Sequence, residues 1–400
     1  MSSDPTVREQ RTPANIGVRP PGGTLRKRRQ AWCVLAYALA CARSPHAGLQ
    51  ADDVFVSQTG SSTVAVVDGA TGTLRARIEV GLLPHNLVLS ADRRTLYAAL
   101  VGSQAVAEID VAAARLRRTF LTASVPDRRP DGSAIQPHVE QGAFSHTTCY
   151  DCHRPGGAQP KYAGDRPFGL LLSPDGRRLF VSHLHSSALS VVDLADGHIE
   201  RTVRLSPAGA ATEAVALAQL GGEIWVALRP PQPSSLPGAI RRLDAATLAP
   251  MGDAPTGADP ASLLALPERG SVLVSNFETN TVTEHDSAGK AVRHEVAPGP
   301  LGLLALPAGG VLALDYYSNA LSFLDLDAGT SATLPLEHGG VPYANPTNAA
   351  LSSDGRSAWV VSSGTEGHLL QVDLASRKIA RDVPIDGLSF GVAVVPGKIR

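Results

Sequence analysis

The chain has 400 residues, 43% of them hydrophobic, with 36 basic and 37 acidic side chains and a formal net charge of −1. That balance offers no electrostatic footprint for nucleic acid, and the apolar fraction excludes wholesale disorder. Frequent glycine (38) and proline (30) suit a chain of many tight turns, and the length admits one large all-β unit or two ordinary domains.

At the start, residues 26–30 (RKRRQ) are basic and residues 31–42 (AWCVLAYALACA) are apolar and close on small side chains. The apolar run is too short to span a bilayer but suits the core of a secretory signal. Residues 1–42 therefore read as leader and signal, cleaved after Ala40 or Ala42. Residues 1–24 are then either a long leader or the product of a start placed too far upstream. Cys41, preceded by Ala38-Leu39-Ala40, loosely resembles a lipoprotein box. A lipid anchor there is an alternative, and it is the one membrane attachment that the residues suggest.

From residue 51 onward one unit recurs: alternating apolar runs broken every 8–12 residues by turn residues, with an Asp closing the third run. These aspartates are Asp68, Asp110, Asp193, Asp244, Asp286, Asp325 and Asp373. Four antiparallel strands in a repeat near forty residues are the pattern of a propeller blade, and seven such aspartates count seven blades. Their expected role is structural, an Asx side chain bonding the backbone of the next turn. The fold class is thus all-β, a seven-bladed β-propeller over residues 51–400. The first copy (residues 54–80) has three strands, and the C-terminal run LSFGVAVVP (388–396) supplies its missing first strand, closing the ring.

Between Asp110 and Asp193 the spacing is too long by about one blade. The surplus, residues 126–166, lacks strand periodicity and reads as an insertion between blades 2 and 3. It contains Cys149-Tyr150-Asp151-Cys152-His153, the C-x-x-C-H spacing of c-type haem attachment. Two thiols set so close can each form a thioether with one haem vinyl group, and the adjacent imidazole of His153 becomes the proximal iron ligand. With 4 Cys and 12 His in the chain, such a string arises by chance on the order of once in a thousand chains. A Cys149–Cys152 disulfide and half of a zinc site remain as other readings; zinc needs about four ligands, and the sequence has no second such Cys pair. An export signal and covalent haem attachment support each other, and they place the mature chain in the periplasm or another extracytoplasmic compartment.

The runs TLYAALVGSQAVAEIDVAAARL and RLFVSHLHSSALSVVDLADGHI resemble YVTN-type repeats. That superfamily also holds the propellers of haem-d nitrite reductase and the methylamine dehydrogenase heavy chain. The resemblance covers residues 51–400 apart from the insertion, and it specifies fold rather than function. The docking repeats of PQQ alcohol dehydrogenases are not evident.

Propeller topology places the insertion on the face shared by the blade-to-blade connections and the loops between second and third strands. A single haem should lie there. Methionine is nearly unavailable as sixth ligand, since Met1 is in the leader and Met251 falls in the outer part of blade 4. The histidine candidates are His85, which opens the first strand of blade 2, and His183 and His185, which end the second strand of blade 3. His138 and His146 lie in the insertion itself. Arg128, Arg129, Lys161 and Arg166 flank the site as candidate partners of haem propionates. Tyr316, Tyr317 and Tyr343 are expected at the channel mouth, and the proline-rich loop 229–237 at its rim. These features point to electron transfer or redox chemistry with a redox partner protein. The alternatives are a haem-free periplasmic binding module and a lone-haem oxidoreductase subunit. One C-x-x-C-H excludes the di-haem peroxidase pattern.

Overall fold

The computed structural model describes residues 52–122, 166–184, 186–206, 212–232 and 234–397. These form seven four-stranded antiparallel sheets. In chain order the innermost strands of blades 2 to 7 are Pro84–Leu89, Pro167–Leu172, Glu213–Leu220, Pro260–Leu266, Pro300–Ala305 and Pro346–Leu351. The innermost strand of blade 1 is Ser389–Pro396, which pairs antiparallel with Asp52–Gln58. Each innermost strand packs beside the next and the last beside the first, so the ring closes.

Burial follows from that stacking. Second strands are covered on both faces by neighbouring blades and are buried almost throughout, as in Thr95–Leu100 and Ser357–Ser363. Outermost strands have one wet face and alternate, as Arg115–Leu121 (RLRRTFL) does. Trp225 and Trp359 are the largest fully buried side chains, each in a core between adjacent blades. Every aspartate of the repeat ends a third strand. In blade 4, Asp244 Oδ1 accepts the Thr247 N–H (2.7 Å) and the Thr247 hydroxyl (2.7 Å), holding the turn to the outer strand.

Near the top of each blade a bulge separates innermost from second strand, and polar groups there stitch one blade to the next. Ser57 Oγ accepts the Gly391 N–H (2.7 Å) and donates to the His85 carbonyl (2.6 Å), joining blades 1 and 2. Ser275 repeats the device between blades 5 and 6, accepting from Ser262 N–H (2.9 Å) and donating to Leu301 O (3.1 Å). Asn86 reaches the Phe168 carbonyl (2.8 Å) between blades 2 and 3, and Thr347 the Phe390 carbonyl (3.0 Å) between blades 7 and 1. Gly391 must be glycine for space: an added Cβ would lie 2.5 Å from the His85 oxygen.

The expected leader (1–42) and the expected insertion (126–166), apart from Arg166, lie outside the described residues. The chain leaves blade 2 at Thr122 and re-enters blade 3 at Arg166. Both points are on the face where second strands turn into third strands.

Candidate functional site

On that face the central channel opens into a cavity of about 310 Å³, to which every innermost strand contributes. Its floor is formed by the early residues of those strands, and its rim by loops between second and third strands. In five blades the residue just before the innermost strand is left-handed (Leu83, Asp259, Gly299, Asn345 and Leu388, φ 52° to 78°), which swings the chain sharply into the channel. At Asp259 this conformation is therefore a property of the fold rather than a local mark of function.

Two aromatic groups line the cavity. His85 is 5% exposed; its ring stacks on Phe390 (centroids 3.4 Å, 26°) and leans on Phe168 (4.4 Å, 38°). Phe277 meets Tyr317 (4.6 Å) and Tyr316 (5.8 Å). Tyr317 is 52% exposed, and its hydroxyl donates to Glu278 Oε1 (3.2 Å). The first group belongs to blades 1–3 and the second to blades 5 and 6. In a closed ring of seven, blade 2 stands opposite the junction of blades 5 and 6, so the two groups face each other across the mouth.

Between them, at the junction of blades 4 and 5, sits an ionic cluster. Arg229, 4% exposed, donates Nε–H to Glu213 Oε2 (2.9 Å) and Nη1–H to Asp259 Oδ1 (2.7 Å). Burial alone would pull the guanidinium down, but Asp259 and Glu213 outweigh it and hold Arg229 above its ordinary range. Burial raises Glu213 above the usual carboxylate range, with Arg229 offsetting only part of that. Arg229 and Asp259 line the cavity, fixed from both sides.

Of the residues singled out in the sequence, His85, Tyr316 and Tyr317 come together at this mouth. Cys149, Cys152, His153, His185, His138, His146, Arg128, Arg129 and Lys161 lie outside the described residues. His183 ends its strand as expected, but it is fully buried with Nε2 2.8 Å from Ser190 Oγ, a scaffold contact inside blade 3. Met251 is in the outermost strand of blade 4, as expected. Tyr343 corrects an expectation. It does not line the mouth; it turns into the core between blades 6 and 7, where its hydroxyl donates to Asp382 Oδ2 (2.9 Å).

Sequence reasoning missed Arg229, Asp259 and Glu213, as well as Phe168, Phe277 and Phe390. The available signal was positional. Gln58, His183, Asn276 and Asp315 all end second strands and bond a hydroxyl on the third strand. Blade 4 has Arg229 at that position.

As to iron, among the described residues no group of three or more His, Cys, Asp and Glu side chains is placed to hold a metal ion. Both ring faces of His85 are covered by phenyl groups, which leaves only an edge nitrogen of the imidazole for coordination.

No protein-family model and no curated protein matches the sequence. Solved structures do match in fold. Hydrazine synthase of Kuenenia stuttgartiensis superposes with a TM-score of 0.58 at 14% identity, covering 86% of this chain and 92% of that one. Dihydro-heme d1 dehydrogenase NirN gives 0.54 at 14% identity, covering 86% and 75%. A putative 6-phosphogluconolactonase of Bacteroides fragilis gives 0.59 at 14% identity, covering 88% and 99%. At such identities the likeness is one of fold alone.

Proposed function

We propose that this chain is an exported propeller of the YVTN type that carries one c-type haem and works in electron transfer or redox chemistry. Cys149 and Cys152 would hold the porphyrin through thioethers, with His153 as proximal ligand. When bound, the haem supplies one-electron redox chemistry at its iron. The observation that carries this reading is the C-x-x-C-H string in the stretch between Thr122 and Arg166, two described residues that sit on the same face as the channel mouth.

The remaining roles belong to the ring. Its stitched innermost strands make a rigid seat. His85, held between Phe390 and Phe168, is a candidate sixth ligand beside His185. Arg166, 6% exposed, brings a positive charge to the blade 3 end of the insertion, where it also favours the charged form of Glu213. That one of the fold neighbours is by its title a dihydro-heme d1 dehydrogenase is in keeping with this use of the fold. Residues 26–42 would direct export, with Cys41 the alternative lipid anchor.

The test is a pyridine haemochrome spectrum of the full chain co-expressed with a cytochrome c maturation apparatus. Haem retained through acid–acetone extraction and denaturing electrophoresis is expected. A colourless protein, or one whose haem is extracted, would refute the assignment.

A further inference from the structure

We propose that the channel mouth is a binding site for an uncharged, flat, conjugated molecule bearing a carbonyl oxygen, its ring held between the two aromatic groups and its carbonyl on Arg229. The site goes beyond the haem reading and needs no haem.

Three observations converge on it. The cavity, about 310 Å³, falls at the lower end of the range of about 300–1,000 Å³ typical of small-molecule pockets. Its walls are aromatic on opposite sides, with His85, Phe168 and Phe390 facing Phe277, Tyr316 and Tyr317. Flat π-systems gain from offset or edge contacts with such rings, beyond the apolar area they bury.

The polar end is equally specific. Arg229 spends Nε and Nη1 on Glu213 and Asp259, and among the described residues Nη2 has no hydrogen-bond partner. This side chain is 4% exposed and lines the cavity, so a ligand there meets a guanidinium with one donor still uncommitted. Two carboxylates already pin the guanidinium, so a ligand need not order it.

Charge then selects the ligand. Among the described residues, the charged side chains lining the cavity are Arg229 and Asp259, which pair with each other. An anion on Arg229 would sit against Asp259, and a cation on Asp259 would sit against Arg229. A neutral carbonyl takes the free N–H without either penalty.

The experiment is isothermal titration of the full chain with 9-fluorenone, with fluorene (no carbonyl) and with 9-oxofluorene-2-carboxylate (an anion). Saturable one-site binding of fluorenone is expected, with both other compounds at least tenfold weaker. Tyr317→Ala on the exposed rim and Phe390→Leu on the floor should each weaken fluorenone at least fivefold, with circular dichroism confirming that both variants fold. Absence of saturable binding, an anion bound as tightly as fluorenone, or unchanged affinity in both variants would overturn the proposal. The titration is repeated on the Cys149→Ser/Cys152→Ser double variant, which cannot attach haem. Equal affinity with and without attached haem supports a separate site. Binding only to the haem-free variant would make the cavity the seat of the haem and overturn the proposal. A failed haemochrome test leaves the haem-free titration standing, so the two claims fail separately.

Discussion

Asp315 should make the stability of this propeller fall as pH rises, and replacing it should remove that dependence. The residue ends the second strand of blade 6 (Val311–Asp315) and is wholly buried. Oδ2 accepts the Ser322 hydroxyl (2.7 Å), and that hydroxyl in turn accepts the Ala297 N–H (3.2 Å). Oδ1 has no partner among the described residues. Burial pushes its pKa up to about 8 from an ordinary 3.8, with the Ser322 bond opposing the rise. The folded state therefore binds a proton that the unfolded state gives up. The stability from this protonated group is fully present below about pH 4 and is lost as pH rises through about 8. At about 1.4 kcal/mol per pH unit the total loss is on the order of 5 kcal/mol, of which about 4 kcal/mol falls between pH 5 and 9. Asp315→Asn offers Ser322 the same oxygen and, like the protonated acid, a buried donor, but it cannot ionise. Urea unfolding at pH 5, 7 and 9 should show the variant gaining on the parent by about 4 kcal/mol across that range. A difference between the two proteins that stays flat within about 1 kcal/mol would refute the reasoning.

The Arg229→Met substitution removes the cation between Glu213 and Asp259 and should cost about 3–5 kcal/mol in urea unfolding at pH 7; a loss below about 1 kcal/mol would show the carboxylates to be solvated. A Gly391→Ala change presses a methyl group onto the His85 carbonyl and displaces the Ser57 bond, so a lowered melting temperature corresponding to about 1–3 kcal/mol is expected. If His85 is the sixth ligand, His85→Ala should convert low-spin ferric haem to high-spin and open the reduced iron to carbon monoxide. Unchanged spectra would move the assignment to His185.

The fold was legible because its repeat is written in residues that local physics demands. Asp68, Asp110 and their five counterparts cap a turn in every blade, and a carboxylate accepting backbone N–H groups needs no tertiary context. Closure was legible from the strand that blade 1 lacks in Asp52–Glu79 and that Ser389–Pro396 completes. The mouth was legible only in part. Tyr316 and Tyr317 follow directly from a second strand, so topology alone put them at the rim. Tyr343 enters from the far side of the short hairpin Glu337–His338/Val341–Pro342. There its N–H bonds the Leu336 carbonyl (2.9 Å), its ring joins the core and its hydroxyl bonds Asp382, contacts that cannot be read from alternation. Phe390 and His85 are brought together only when the ring closes, and Arg229 meets Asp259 across a blade boundary. Such contacts depend on register between distant strands, which composition and period do not encode.

The most direct test of the haem assignment is intact-mass and tryptic-peptide analysis of the matured chain. The peptide containing Cys149 and Cys152 should carry a covalent increment of about 600 Da that vanishes in the Cys149→Ser/Cys152→Ser variant. A peptide at its bare mass, or about two daltons below it as a disulfide, would contradict the account.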